Sequence, residues 1–428
     1  MQKIDKTRSL TPGDDRSRAW KAISLYTGAS LSDLVIFDIE TTGLSANVSS
    51  LYLIGALWYD TPKKEIKMCQ WFADDYTSEC TILEAFSSFV SGFSTIVHYN
   101  GSGFDIPYLE KKYRFHHLEN PFAALRSFDI YREVRKEKTL FDSSSLKLSV
   151  VEKLVGFLRA DNYSGKECIQ IYSEFMQQKI FRSPQAEKEK EKLLLHNADD
   201  LRGTLLSSLL LYYKLPLHFS DKVWNADTLC ITCQTQESVP FPCGRETEDF
   251  ILSFEEKNAC ITLFCTEGCY CHFYENYKDY FYLPEEDTAI HKSVGIYVEK
   301  GFREPAKASN CYLKKAGKFV RFPASSSDYL TRHGLTLFRE NYRTKPVFVL
   351  KDEIEKQDSL FWEEVLPYIT SVYCILHNRV YPVFRLLQSH RLSFLLCILS
   401  ISYAVPYPIP KEFWQQEYLH WLRHRLPR

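Results

Sequence analysis

The sequence carries almost no net charge. Lysine and arginine number 53 against 54 aspartates and glutamates, a formal charge of -1 at pH 7. This excludes a polycation that coats nucleic acid through its global charge, so any phosphate contact needs a local basic surface. Long apolar runs are also missing. The longest, Leu392 to Val405, has 14 residues and three serines. A membrane span needs about 20 apolar residues, so this stretch is expected to be a core helix. The opening MQKIDKTRSLTPGDDRSRAW has no apolar signal-peptide core. No internal repeat is visible. The 13 cysteines are odd in number and scattered, which fits a reduced, cytoplasmic setting with thiols mostly filling core positions. Hydrophobic residues at 45% and charged residues at 25% are ordinary for a globular chain. A length of 428 residues allows two or three domains.

The pattern that is present begins after a polar lead-in (1–30) with a short helix near Trp20–Tyr26. DLVIFDIE, Ser50–Asp60 and Glu65–Asp74 read as strands, separated by the turn signals Thr41-Thr42-Gly43 and Thr61-Pro62. Ile82, Leu83, Phe86, Phe89 and Val90 are spaced for a helix. Ser94–Asn100 reads as a fourth strand, and Pro107 sits where a helix can begin. Three strands able to pair as a meander, then helix, strand and helix, predict an α/β fold with a mixed sheet flanked by helices. SLKLSVVEKLVGF is a helix candidate. Farther on, Leu193, Leu195, Leu201, Leu205, Leu206, Leu209 and Leu210 share a broad helical face, and the alternating charges Glu187–Lys192 read as exposed. Gly203 inside that helix predicts close approach of another element. Beyond about 216 the chain becomes dense in aromatic and β-branched residues, predicting a smaller β-rich α+β region over 217–330. Residues 331–428 follow without an assigned structure.

Two carboxylates close the strand in VIFDIETTGL. Residues two apart on a strand point the same way, so Asp38 and Glu40 share a face. Asp105 lies where a strand ends and a helix opens. His196 and Asp200, four apart in LLLHNADDLRG, share a helical face. Four carboxylates gathered from separate elements repel one another, and a pair of hard divalent cations, Mg²⁺ or Mn²⁺, resolves the repulsion. Two such ions can activate a water and stabilise the leaving oxygen of a phosphoryl displacement. His196 beside them is placed to take a proton from that water. Thr41 and Thr42 could bind a terminal nucleotide or simply shape the turn. Asn100 could orient a ligand or close the strand, and Phe104 could face substrate or pack in the core. Asp199 reads as a solvated neighbour of Asp200, and Asp129 as a helix N-cap.

FDIETTGL, HYNGSGFDIPYLEKK and LLLHNADDLRG resemble the three motifs of the DEDD (DnaQ-like) 3'–5' exonucleases on a ribonuclease H-like fold. More closely the chain resembles the bacterial YprB-like ribonuclease H-like domain proteins, over about 30–215 and, through NYKDYFYLPEEDTAIHKSVG, to about 325. The resemblance implies a ribonuclease H-like exonuclease domain over 31–216. It assigns Asp38, Glu40, Asp105 and Asp200 to metal binding and His196 to the general base. It further implies a single-stranded 3' end as substrate. The spacing His196-x-x-x-Asp200 departs from the family, whose histidine subclass has four residues between the two and whose three-residue spacing belongs to tyrosine.

Basic residues Lys111, Lys112, Arg114, Arg132, Arg135, Lys136 and Lys138 could track a phosphate backbone or form a solvated face. Cys230/Cys233 with Cys269/Cys271 could supply a zinc site, against the rival that these thiols fill strand positions. Glu285, Glu286 and Asp287 are read as preceding a helix. The sequence thus predicts a metal-dependent 3'–5' exonuclease on DNA or RNA with no membrane contact. The alternative is a non-catalytic nucleic-acid-binding or scaffold protein that keeps the fold.

Overall fold

A computed structural model describes residues 1–9 and 14–370; the helix expected at Leu392–Val405 lies outside the described residues. The first sheet has six strands: β1 (Gln2–Ser9), β2 (Leu34–Thr41), β3 (Leu51–Asp60), β4 (Glu65–Phe72), β5 (Thr95–His98) and β6 (Arg126–Asp129). Their order is β1-β4-β3-β2-β5-β6. β2, β3 and β4 form the expected antiparallel meander, and β5 adds parallel to β2. β2 is therefore central, and its apolar run Leu34–Phe37 is fully covered. Strands buried on both faces read as continuous apolar runs, which is why this one was legible.

The polar lead-in opens with a strand before the expected helix around Trp20–Tyr26. β1 pairs antiparallel with all of β4, from Gln2 opposite Phe72 to Ser9 opposite Glu65. Its side chains are almost all exposed, so the pairing rests on backbone hydrogen bonds that leave no apolar pattern to read.

Helices α1 (Asp15–Thr27), α2 (Glu79–Val90), α3 (Asp105–Phe115), α4 (Ile130–Val134), α5 (Leu148–Leu154), α6 (Gly165–Ile180) and α7 (Gln185–Ser207) flank this sheet. α3 starts at Asp105, two residues before Pro107, with the proline inside its first turn. Asp129 caps α4 by accepting from the Arg132 backbone N–H at 3.3 Å, as expected. α6 carries a full capping box between Ser164 and Glu167. α7 packs on β2 and β3 at Gly55, where a Cβ would stand 2.1 Å from Asn197 Oδ1. Gly203 does admit another element: a Cβ there would stand 2.1 Å from Glu152 Oε1 on α5. The charged run Glu187–Lys192 is not wholly exposed. Glu189 and Lys190 are buried, because Lys190 reaches Gln2 of β1 at 2.9 Å.

After Lys214 the chain enters a seven-stranded antiparallel sheet of β7 (Leu217–Trp224), β8 (Thr228–Thr235), β9 (Cys243–Glu246), β10 (Phe250–Glu255), β11 (Asn258–Phe273), β15 (Tyr312–Phe322) and β16 (Val347–Leu350). β11 is long enough to pair β8 and β10 with its first half and β15 with its second. A small sheet of β12 (Tyr280–Leu283), β13 (Thr288–His291) and β14 (Glu304–Pro305) completes this region. Glu285, Glu286 and Asp287 lie in the β12–β13 turn and not at a helix start. Asp287 has φ 48° and accepts hydrogen bonds from the hydroxyls of Tyr282 and Tyr312. The alternating Tyr and Phe side chains around Pro284 favour a hairpin over a helix.

The cysteines lie along strands. Cys230 and Cys233 are three apart on β8 and so point to opposite faces. Cys269 and Cys271 sit on the distal half of β11 against β15. Among the described residues the four candidate zinc ligands form no cluster; Cys233, Cys265 and Cys271 fill buried strand positions, the rival reading. No helix among the described residues is long and apolar enough to cross a membrane.

Candidate active site

β2 delivers Asp38 and Glu40 from the middle of the sheet to one face, where α7 crosses. Asn197 of α7 donates to Asp38 Oδ2 at 2.9 Å and is itself held by Gln70 Nε2 at 2.9 Å. Its neighbour on α7, His196, has Nε2 3.9 Å from Glu40 Oε1 and 3.6 Å from Asp200 Oδ2. The four-residue spacing thus places imidazole and carboxylate on the same helical face, against the strand acids. Asp105, the first residue of α3, enters from the end of β5. Its ionisation is pushed up to about 7, chiefly by burial, although backbone N–H groups including that of Ile39 oppose this.

The other acids behave alike. Burial raises Asp38, and the charges of Asp200, Asp105 and Glu40 raise it further. Burial lifts Glu40 to about 8 against the pull of His196. Burial also raises Asp200, with His196 and Arg159 opposing. For His196 burial acts downward, but the Cys168 thiol and the carboxylates of Glu40, Asp200 and Asp161 push it up to about 11. Within the metal-free chain the acids are therefore answered by Arg159 and by a protonated His196.

Arg159 was not visible as a site residue in the sequence. It forms an ion pair with Asp200 Oδ1 and lies 3.2 Å from Asp161 Oδ2 and 3.7 Å from Glu152 Oε2. Asp161 was missed too, and it accepts from His196 Nδ1 at 2.8 Å. Both belong to the loop between α5 and α6, a stretch without helical or strand periodicity. Asp199 is what clamps that loop. Its Oδ2 accepts the backbone N–H groups of Ala160 at 2.7 Å and Asp161 at 3.1 Å, and Arg202 donates to Oδ1 at 2.8 Å. The expectation that Asp199 is solvated is therefore corrected: it is 1% exposed, because the loop folds over it. The one faint signal in the sequence is a second acid directly beside Asp200.

An open cleft of about 550 Å³ runs over these groups, lined by Asp38, Glu40, His196 and Asp200 together with Arg159 and Tyr163. Asp105, Thr41, Thr42, Asn100 and Phe104 stand outside its lining. The Thr41 hydroxyl donates to Gly43 O at 2.9 Å, and Thr42 Oγ1 accepts from the Ser50 N–H at 2.8 Å, so both shape the β2–β3 turn. Asn100 has φ 61° and donates its backbone N–H to Asp129 Oδ1 at 2.9 Å, a strand-end turn. Its neighbour Gly101 donates to His98 Nδ1 at 3.0 Å. Phe104 precedes α3 and packs on Tyr108. Of the basic residues, Lys112 is buried and bonded to Ser49 O and Glu79, while Lys111, Arg114, Arg132, Arg135, Lys136 and Lys138 are exposed.

The donor set suits a hard or borderline divalent cation. Glu40 Oε1 is buried with no hydrogen-bond partner, and it faces His196 and Asp200. Ligand atoms of Glu40, His196 and Asp200 all lie within 4.8 Å of one another. An orphaned carboxylate oxygen in such a place is unfavourable unless a positive group meets it.

Residues 35–209 match the family model described as the RNase_H superfamily, so this part of the chain is a ribonuclease H-like domain. No curated protein matches the chain. Among solved structures it is similar to the family B DNA polymerase of the hyperthermophilic archaeon Pyrobaculum calidifontis, at 14% identity over 45% of this chain and 31% of that one, TM-score 0.31. It is similar to the zinc-bound complex of E. coli exonuclease I with single-stranded DNA, at 14% identity over 43% of this chain and 41% of that one, TM-score 0.29. A further exonuclease I structure has 12% identity over 52% of this chain and 55% of that one, TM-score 0.29. The chain spans less than two thirds of the length of each of these proteins.

Proposed function

We propose that the chain is a divalent-metal-dependent nuclease, a 3'–5' exonuclease that hydrolyses phosphodiester bonds of single-stranded DNA or RNA. The observation that carries this reading is the convergence of Asp38, Glu40, Asp105 and Asp200 from a strand, a helix start and a second helix. All four have ionisation raised by burial, and one has an orphaned oxygen. Such a cluster is unfavourable for the fold alone and favourable around cations.

These carboxylates would hold the metal, and two ions are the number that four acids suit. When bound, the ions supply a nucleophilic water at neutral pH and stabilise the phosphate oxygens and the leaving oxygen. Asn197 fixes the Asp38 carboxylate through its 2.9 Å bond. Gln70 keeps Asn197 from rotating, so the strand acid is oriented before a ligand arrives. Tyr163 lines the cleft and offers an aromatic ring against which a terminal base can rest. The exponucleolytic polarity follows from the resemblance of the three motifs.

The test is digestion of 5'-labelled single-stranded DNA and RNA with Mn²⁺, Mg²⁺ or EDTA, with Asp38→Asn and Asp200→Asn beside the native chain. A metal-dependent ladder shortening from the 3' end, reduced to background in both variants, is the expected result. Cutting of circular substrates would replace the exonuclease by an endonuclease. Binding of the strand without cleavage under any metal would leave the non-catalytic nucleic-acid-binding protein.

A further inference from the structure

Metal-binding histidines have a recognisable arrangement. One ring nitrogen meets the ion, and the other donates its N–H to a carboxylate that fixes tautomer and ring orientation. His196 has this arrangement. Its Nδ1 bonds Asp161 Oδ1 at 2.8 Å, and its Nε2 points into the space between Glu40 Oε1 and Asp200 Oδ2. The two oxygens facing Nε2 are the ones left over. Glu40 Oε1 has no hydrogen-bond partner, and Arg159 engages the other oxygen of Asp200, Oδ1. His196 is 5% exposed and sits on a regular helix, so its ring cannot swing between roles. Asp161 is held in turn, since Asp199 clamps its backbone.

We propose that His196 is a metal ligand through Nε2, that Asp161 is its positioning residue, and that Glu40, His196 and Asp200 form a site for a first-row transition ion such as Mn²⁺ in preference to Mg²⁺. The inference rests on the metal-dependent reading above and departs from the general-base role that the resemblance implied. A nitrogen donor is what separates the two ions, because Mg²⁺ holds to oxygen ligands and water while imidazole suits transition metals. With Nδ1–H given to Asp161 and Nε2 given to the ion, the ring has no lone pair left to accept a proton from water. The departure in spacing then has a physical meaning. Three residues between His196 and Asp200 put both side chains on one helical face, as two ligands of one ion require.

The experiment is pulsed electron paramagnetic resonance on the full chain, stripped of metal and loaded with Mn²⁺ alone, with no substrate. The expected spectrum shows nitrogen hyperfine coupling from one imidazole. That coupling changes to the ¹⁵N pattern when histidine is ¹⁵N-labelled, a readout that needs no variant to fold. Calorimetric titration is expected to show Mn²⁺ bound more tightly than Mg²⁺. His196→Gln should abolish the nitrogen coupling and erase the preference. Asp161→Asn should weaken Mn²⁺ binding about 10- to 100-fold while leaving Mg²⁺ binding nearly unchanged. Mn²⁺ bound without nitrogen coupling, or equal Mn²⁺ affinity in His196→Gln, overturns this inference and leaves the metal-dependent nuclease standing. Absence of any divalent-ion binding overturns both.

Discussion

Asp199 and Asp200 are neighbours on one helix and have opposite tasks. Asp200 faces the cleft, and Asp199 turns away to hold the backbone of the loop that carries Arg159 and Asp161. Replacing Asp199 by Ala leaves the buried Asp161 N–H, the partly buried Ala160 N–H and Arg202 without their acceptor, a loss of about 3 kcal/mol if the loop stays in place. Urea denaturation measures it, and an unchanged midpoint would show that the clamp contributes nothing. The buried acids Glu40 and Asp105 make a pH prediction with a definite sign. Glu40 and Asp105 are raised to about 8 and about 7, so each binds its proton more tightly in the folded state. Their contribution to stability is complete below the ordinary carboxylate range and is lost as pH rises through 7 to 8. Metal-free protein in EDTA should therefore melt at a lower temperature at pH 8 than at pH 6. Saturating Mn²⁺ should remove most of that difference, since the ion takes over the neutralising role of the protons.

The crossing of β3 and α7 shows how an element positions a side chain it does not carry. Gly55 lets α7 lie against the sheet. A Cβ there would stand 2.1 Å from Asn197 Oδ1 and 2.7 Å from Leu201 Cδ1. Asn197 cannot yield cheaply, because it is fully buried and bonded to Asp38 and Gln70. Gly55→Ala should then destabilise by about 1 to 3 kcal/mol and weaken Mn²⁺ binding by loosening Asp38. Denaturation and calorimetry on the same sample check both effects, and a stability loss with unchanged affinity would detach Asn197 from the site. The same crossing explains what was legible in the sequence. β2 and α7 announce themselves through apolar runs and through acids at strand and helix spacing, because burial on both sides leaves them little freedom. β1 gave no such sign, since Gln2–Ser9 joins the sheet by backbone pairing at an exposed edge. The loop holding Arg159 and Asp161 is specified by Asp199, some forty residues away, and a contact at that distance leaves no local pattern. The hydroxyls of Thr41 and Thr42 had two readings in the sequence, and the turn uses both of them.

The six-stranded and seven-stranded sheets are tied together more firmly than separate modules would be. One apolar cluster runs from Trp20 of α1 and Leu34 of β2, through Leu209–Tyr213, to Ile231 of β8, Ile261 of β11 and Val349 of β16. Tyr213 is the knot in it. Its ring meets Phe141 at 5.3 Å on the ribonuclease H-like side and Phe241 and Phe254 at 5.6 and 5.3 Å on the other. Its hydroxyl donates to Phe241 O and accepts from the Phe241 N–H. The change of texture near 216 therefore marks a change of element type inside a continuous core, and the β-rich sheet is part of what keeps α7 seated over the acids. Tyr213→Ala removes an aromatic side chain that is 1% exposed, a loss of about 3 to 5 kcal/mol on the scale of large-to-small core changes. Because the cluster is shared, hydrogen exchange should show amides of β2 and β8 losing protection together and by the same free energy. Two independent halves would give a different result, with the exchange of β2 unchanged while that of β8 accelerates. In that case the second sheet would be a passenger on the site and not part of its support.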